Sequence, residues 1–291
     1  MQELTVNNIS KSFDGRRILR NVSFELHAGE LISLLGISGG GKSTIFNIIA
    51  GLMTPDEGDV LLDGESIVGN PGRVSYMLQK DLLLPHKNMI DNISLPLVIR
   101  GMKKKEAREV AAKHLKQFGL AGYGKKHPHE LSGGMRQRAA LLRTYLFSGE
   151  VALLDEPFSA LDTITRQAMH IWYLSVMEEL KLPTVFITHD VDEAILLSDR
   201  ILILGRPADQ QIFTANKSSD GYADRLSGHS GAGLSEQSGN SSAANSPEAE
   251  NAAMPATITH TIIIEGREKK THDYLLSSDF LQYKKEIVDY I

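Results

Sequence analysis

Residues 36–44 read GISGGGKST and match the pattern G-x-x-x-x-G-K-[ST]. The run ELISLLG (30–36) before it is apolar at strand length, and STIFNIIAGLM (43–53) after it is apolar at helical spacing. A strand, a glycine-rich turn and a helix in that order form a cradle for phosphate. Gly36, Gly39, Gly40 and Gly41 let the backbone curl with its N–H groups inward, while Ser38 and Thr44 complete the loop. Lys42 is placed to reach the β- and γ-phosphates of a nucleotide, and the Ser43 hydroxyl to enter the shell of a Mg²⁺ ion. This stretch decides the fold, because it requires a parallel sheet whose strand ends face a ligand.

Strand signals surround it. LTVNNISKSF, VSFELHAG, GDVLLDG and GRVSYMLQ carry apolar residues near period two between Gly, Asn and Asp turns. From about 81 to 149 the pattern turns helical. In KKKEAREVAAKHLKQFG, residues Ala107, Val110, Ala111, His114, Leu115 and Phe118 share one stripe. Two buried-type strands follow, VALLD (151–155) and PTVFITH (183–189), separated by the helical TRQAMHIWYLSVMEEL, and DRILILG then closes the core near Gly205. Alternating strands and helices predict an α/β chain with a parallel sheet covered on both faces.

Residues 215–256 break the pattern. They are rich in Ser, Gly, Ala and Asn, with two leucines and no Ile, Val, Phe or Trp. So little apolar surface does not offset the entropy of ordering, and a disordered insertion is expected after a short strand connection at 206–214. A C-terminal unit, 257–291, is expected to hold a strand in ITHTIIIEG and a helix in SSDFLQYKKEIVDYI, capped by Ser277 or Ser278.

The composition narrows the function classes. A net charge of −5 gives no general attraction to nucleic acid or an anionic membrane. The absence of cysteine removes disulfides, thiolate metal sites and a thiol nucleophile, and fits a reducing compartment. MQELTVNNIS has neither the basic nor the apolar region of a signal peptide, and no apolar run approaches the ~18 residues of a membrane span. A soluble, cytoplasmic chain is expected, with any membrane role exercised through a partner.

A phosphate loop needs further groups. VALLDE ends its strand with Asp155 and Glu156, and a turn at Pro157 would bring both carboxylates to the C-terminal edge of the sheet. Asp155 would then support the metal, and Glu156 would polarise an attacking water. Gln79 and His189 end two other strands and are candidates for γ-phosphate contacts; on spacing alone, His189 reads equally well as a packed or solvent-facing residue. LSGGMRQR (131–138) presents a second helix start with a serine and two glycines, another anion cradle. One triphosphate does not fill two cradles within one chain. Two copies docked head to tail would place Ser132, Gly133 and Gly134 of each against the nucleotide of the other.

GISGGGKST, Gln79, LSGGMRQR, VALLDEP, SALD (159–162) and His189, in this order and at these intervals, resemble the ATP-binding subunit of an ABC transporter over about residues 1–205. The resemblance implies a P-loop NTPase (RecA-like) core with an antiparallel β-subdomain and a helical subdomain. It implies ATP and Mg²⁺ as ligands, with Ser43, Gln79 and Asp155 on the metal side and Glu156, His189 and Gln79 in catalysis. It also implies adenine stacking on Phe13, where tyrosine is commoner, and Asp162 in a loop crossing between two copies. The expected partners are a second copy, transmembrane permease subunits and, indirectly, a solute-binding protein, at the cytoplasmic face of a membrane and without nucleic acid. YMLQKDLLLPHKNMIDNISLPL and THDVDEAILLSDRILIL are similar to importers of nitrate, sulfonate, taurine or thiamine precursors. In that family the segment 79–97 meets the permease, so Leu83, Leu84 and Pro85 become candidate contacts. His86 and Ile37 depart from the commoner Trp and Pro without removing a phosphate ligand. The alternative is a soluble ABC-type ATPase without a transport role. Such proteins commonly carry two cassettes, or long coiled coils or cysteine-based zinc modules between the phosphate loop and LSGG. Here one cassette is read, a short helical segment separates Lys42 from Ser132, and there is no cysteine.

Overall fold

The computed structural model describes residues 3–147, 150–206, 254–265 and 272–291. Its centre is strand β3 (Leu31–Gly36), all six residues of which are buried. An apolar run with no exposed face suits the middle of a parallel sheet, and β3 lies between β8 (Thr184–Thr188) and β9 (Arg200–Gly205), parallel to both. β7 (Ala152–Asp155) and β6 (Ser75–Met77) continue the parallel sheet beyond β8. On the other edge β10 (Thr257–Ile263) adds antiparallel to β9. The order is β10-β9-β3-β8-β7-β6.

A second, antiparallel sheet carries β1 (Leu4–Phe13), β2 (Arg16–Leu26), β4 (Glu57–Leu62) and a short β5 (Glu65–Ser66) in the order β2-β1-β4-β5. Helix α1 (Lys42–Ile49) is packed between the two sheets. Its Ile45, Phe46, Ile48 and Ile49 join Leu4, Ile9, Val60, Ile32, Leu34 and Val185 in one apolar cluster.

The other face of the main sheet is covered by α6 (Thr163–Leu180), which follows β7, and by the helical region: α2 (Met89–Ile93), α3 (Leu95–Ile99), α4 (Lys104–His114) and α5 (Gly133–Tyr145). Phe118, Leu141, Leu142, Tyr173 and Met177 meet Leu154 and Phe186 of the sheet there. A third cluster joins α7 (Val191–Leu197) to α8 (Ser278–Val288) through Ala194, Ile195, Phe280 and Ile287, with Ile262 of β10. Ser277 caps α8, accepting from the Phe280 N–H at 3.1 Å.

Three expectations need correction. Ala256, the last residue of the stretch expected to be disordered, is buried and hydrogen-bonded on both sides to β2: its N–H donates to Ile18 O at 2.8 Å and its carbonyl accepts from Arg20 N at 2.9 Å. Residues 207–253, which include most of the expected strand connection and insertion, lie outside the described residues. Leu83 is buried rather than available to a partner, while its neighbour Leu82 is half exposed. The turn after β7 begins at Glu156 itself, with φ 45°, one residue before Pro157.

Candidate functional site

The loop between β3 and α1 is shaped from behind. A Cβ on Gly36 would lie 2.3 Å from the Leu204 carbonyl oxygen of the neighbouring strand, so no other residue fits without moving β9. Gly41 has φ 96°, and a Cβ there would meet Leu19 Cδ2 at 2.6 Å. Both positions therefore require glycine, for space in one case and for conformation as well in the other. Gly40 closes a turn onto Ile37 O at 3.2 Å. Lys42 is buried at the start of α1 and donates to Gly36 O (2.6 Å) and Ile37 O (2.9 Å). Burial pulls its ammonium pKa down, opposed by the nearby carboxylates of Glu156 and Asp155.

A cleft of about 380 Å³ opens over this loop. Ser38, Gly39, Gly41, Lys42, Ser43 and Thr44 form its floor, Asp155 and Glu156 one wall, and Phe13 with Ile18 the outer end. Phe13 closes β1 at the edge of the cleft with 41% of its surface exposed, and Lys11 Nζ lies over its ring, 5.8 Å from the centroid.

Three adjacent parallel strands end here. Glu156, after β7, accepts from Gln79 Nε2 at 2.9 Å, and His189 Nδ1 lies 3.2 Å from its other oxygen. Gln79 follows β6 and His189 follows β8, so neighbouring strands deliver the three side chains to one point. The Gln79–Glu156 bond uses the amide nitrogen and leaves the Gln79 oxygen available. Asp155 is held above the ordinary carboxylate range by burial first and by the adjacent Glu156 second. The Tyr76 hydroxyl donates to it at 3.5 Å, and burial raises the Tyr76 pKa.

Ser132, Gly133, Gly134 and Asp162 do not line the cleft. Ser132 is exposed and caps α5, accepting from Met135 N at 3.3 Å. Asp162 caps α6, accepting from Thr165 N at 3.0 Å; bonding to Thr165 holds its carboxyl below the ordinary range. The two caps belong to one surface, since Cβ atoms on Gly133 and Gly134 would touch Leu161 and Thr165 at 3.3 and 3.1 Å.

Sequence reasoning did not find the ties between these parts. Arg143 and Arg136 of α5 bind the segment after Gln79: Arg143 donates to the Leu82 carbonyl (2.9 Å) and to that of Asp81, and Arg136 to the Asp81 carboxylate (3.2 Å). Their place in the helix carries no signal of such partners, which lie more than fifty residues upstream. Tyr76, three residues before Gln79, was equally hidden among strand residues.

Residues 19–159 match the profile of the ABC transporter family. The chain is 43% identical over 201 residues to formylaminopyrimidine import ATP-binding protein ThiZ of Halalkalibacterium halodurans, covering 69% of this chain and 78% of that protein. It is 41% identical over 211 residues to taurine import ATP-binding protein TauB of Pseudomonas aeruginosa, covering 71% and 80%. Among solved structures it is similar to a dimeric bacterial ABC transporter cassette, with a TM-score of 0.59 at 30% identity, over 69% of this chain and 93% of that one. A dimeric post-hydrolysis cassette bound to ADP and phosphate is similar at a TM-score of 0.58, with the same identity and coverage.

Proposed function

This chain belongs to the ABC transporter family, and we propose from that premise that it is the ATP-hydrolysing, energy-coupling subunit of an import system. The observation that carries the reading is Glu156, held between Gln79 and His189 at the edge of a cleft floored by Lys42. In this reading the loop N–H groups and Lys42 bind the β- and γ-phosphates, and adenine stacks on Phe13. Glu156 takes a proton from the attacking water, and His189 and Gln79 orient the γ-phosphate and that water.

The donor set also fits Mg²⁺. Ser43, Gln79 and Asp155 offer oxygen atoms, and Asp155 and Glu156 are adjacent carboxylates whose mutual repulsion a cation relieves. Among the described residues no group of three or more His, Cys, Asp or Glu is placed to hold a metal. Around the oxygens of Ser43, Gln79 and Asp155, Mg²⁺ would complete its shell with phosphate and water. When bound, the ion neutralises charge on the phosphates; positioning the water and accepting its proton falls to the chain's own residues.

The chain forms a head-to-tail pair with a second copy, so that the exposed Ser132 and its glycines complete the partner's nucleotide site. No helix among the described residues is long and apolar enough to cross a membrane. In this reading coupling runs through a permease, as the import ATP-binding relatives suggest, and the chain works against the cytoplasmic face of its membrane. A groove of about 580 Å³, lined by Leu52, Leu82, Pro96, Ile99, Arg143 and Phe147, supports this. Leu52, Leu82 and Ile99 expose more than half of their surface there, the kind of apolar trough that takes a short amphipathic helix. Leu82 thus replaces Leu83 as the candidate contact. The names of the relatives at 43% and 41% identity fit a solute of the thiamine-precursor or taurine kind, delivered by a solute-binding protein.

Purified chain tests the ATPase reading directly. Lys42→Ala is expected to abolish binding of a fluorescent ATP analogue. Glu156→Gln is expected to bind it normally while turnover falls about 10²–10⁴-fold. Unchanged binding in the first, or normal turnover in the second, would refute the assignment.

A further inference from the structure

His170 and Glu193 are twenty-three residues apart in sequence and meet as a buried pair at the base of a small surface cavity. Their side chains are 7% and 5% exposed, and His170 Nε2 and Glu193 Oε1 share a hydrogen bond of 2.8 Å. Glu193 lies in the first turn of α7, which begins two residues after His189. Its backbone N–H also donates to the cap residue Asp190 at 3.2 Å. His170 lies in α6, and its ring packs edge-on against Phe158 with centroids 5.1 Å apart. Phe158 is two residues beyond Glu156. One imidazole therefore touches both the loop behind Glu156 and, through Glu193, the helix behind His189.

On one side the pair borders a small cavity of about 170 Å³, which Thr163, Arg166, Gln167, Asp190 and Asp192 also line. Met169, Tyr173, Leu196 and Leu197 supply apolar packing on the same two helices. A buried ionisable pair is no more stabilising than apolar residues of the same volume, because both groups must be desolvated. What it adds is direction, since a hydrogen bond fixes distance and angle where apolar contacts allow slip. A second link, Arg166 to Asp190 at 3.6 Å, is about one-third exposed on both sides and constrains the seam weakly.

We propose that His170 and Glu193 are positioning residues for hydrolysis: their buried hydrogen bond holds the α7 turn against the Phe158 loop and so keeps His189 in register with Glu156. Neither residue touches the nucleotide. The inference rests on the ATPase reading above.

Steady-state ATP turnover of the full chain tests it, with melting temperature measured alongside and wild type as control. His170→Ala lowers kcat about tenfold and leaves KM for ATP within about twofold, because the reacting groups are misplaced while the phosphate loop is intact. His170→Gln, whose amide can still donate to Glu193, recovers most of the turnover. The double variant His170→Leu/Glu193→Leu leaves no charge buried alone, so it melts near wild type yet remains slow. It carries the test if His170→Ala does not fold. Wild-type kcat in the folded double variant would overturn the proposal, as would a His170→Gln variant that melts like wild type but stays as slow as His170→Ala. A wild-type chain without ATP turnover would refute the underlying ATPase reading instead, and the inference with it.

Discussion

Glu156 adopts a left-handed backbone conformation, φ 45°, that a glutamate enters at a cost of order 1 kcal/mol. The conformation has a use. Successive strand residues point to opposite faces, so Asp155 and Glu156 reach the same edge only if the chain turns between them. Ser159 holds that turn, its hydroxyl donating to the Glu156 carbonyl at 3.0 Å. Glu156→Gly is therefore expected to stabilise the protein by about 1 kcal/mol in chemical denaturation, by relieving the backbone, while removing turnover. A loss of stability would mean that the contacts to Gln79 and His189 outweigh the strain. At this scale the sequence was readable where chemistry is local. GISGGGKST and VALLDE announce their roles because spacing along one strand–turn–helix unit fixes the geometry. It was silent about Tyr76 above Asp155 and about His170 against Glu193, since those contacts exist only once separate strands and helices have been packed.

The same division holds for the elements. Period-two and apolar runs marked β1 to β4, β6 to β9 and α4 to α6, because a half-buried strand or helix must show its buried face. The path of 80–88 was not legible. Asn92, fully buried, accepts from Leu84 N at 2.7 Å and donates to the carbonyls of Leu84, Lys87 and Asn88, folding the loop inward and burying Leu83. A polar residue inside a helical pattern does not reveal that it clamps the loop before it. The next residue back, Asp91, ties α2 to α4 through two 2.7 Å bonds from Arg108. The Arg108 bond holds its carboxyl below the ordinary range. A depressed carboxylate pKa adds stability above the unfolded value near 4, and that stability is lost as pH falls through the folded value. Asp91→Asn is thus expected to cost stability at pH 7, modestly because solvent screens the exposed Arg108 side of the pair, with the difference from wild type shrinking below about pH 4. A difference that persists unchanged in acid would place the effect elsewhere than in the ion pair.

For the whole molecule, the parallel sheet followed from the alternation of strands and helices and the antiparallel sheet only from the family resemblance, while the packing of the C-terminal unit followed from neither. Lys284 of α8 reaches Asp192 of α7 at 2.6 Å, and Ala256 threads beside β2; neither contact has a local sequence signature. The proposed function needs two molecules: Ser132 and its glycines stand outside their own cleft and, as proposed, complete the site of a second copy. Ser132→Asp isolates that role, because aspartate caps a helix as well as serine does and so should leave α5 intact. Its charge would nevertheless face the partner's γ-phosphate. The decisive measurement is the mass in solution, by light scattering with saturating MgATP, of Glu156→Gln and of Glu156→Gln/Ser132→Asp. The expected result is a doubled mass for the first, and a single-chain mass with retained ATP binding for the second. A doubled mass for both, or for neither, would contradict the claim.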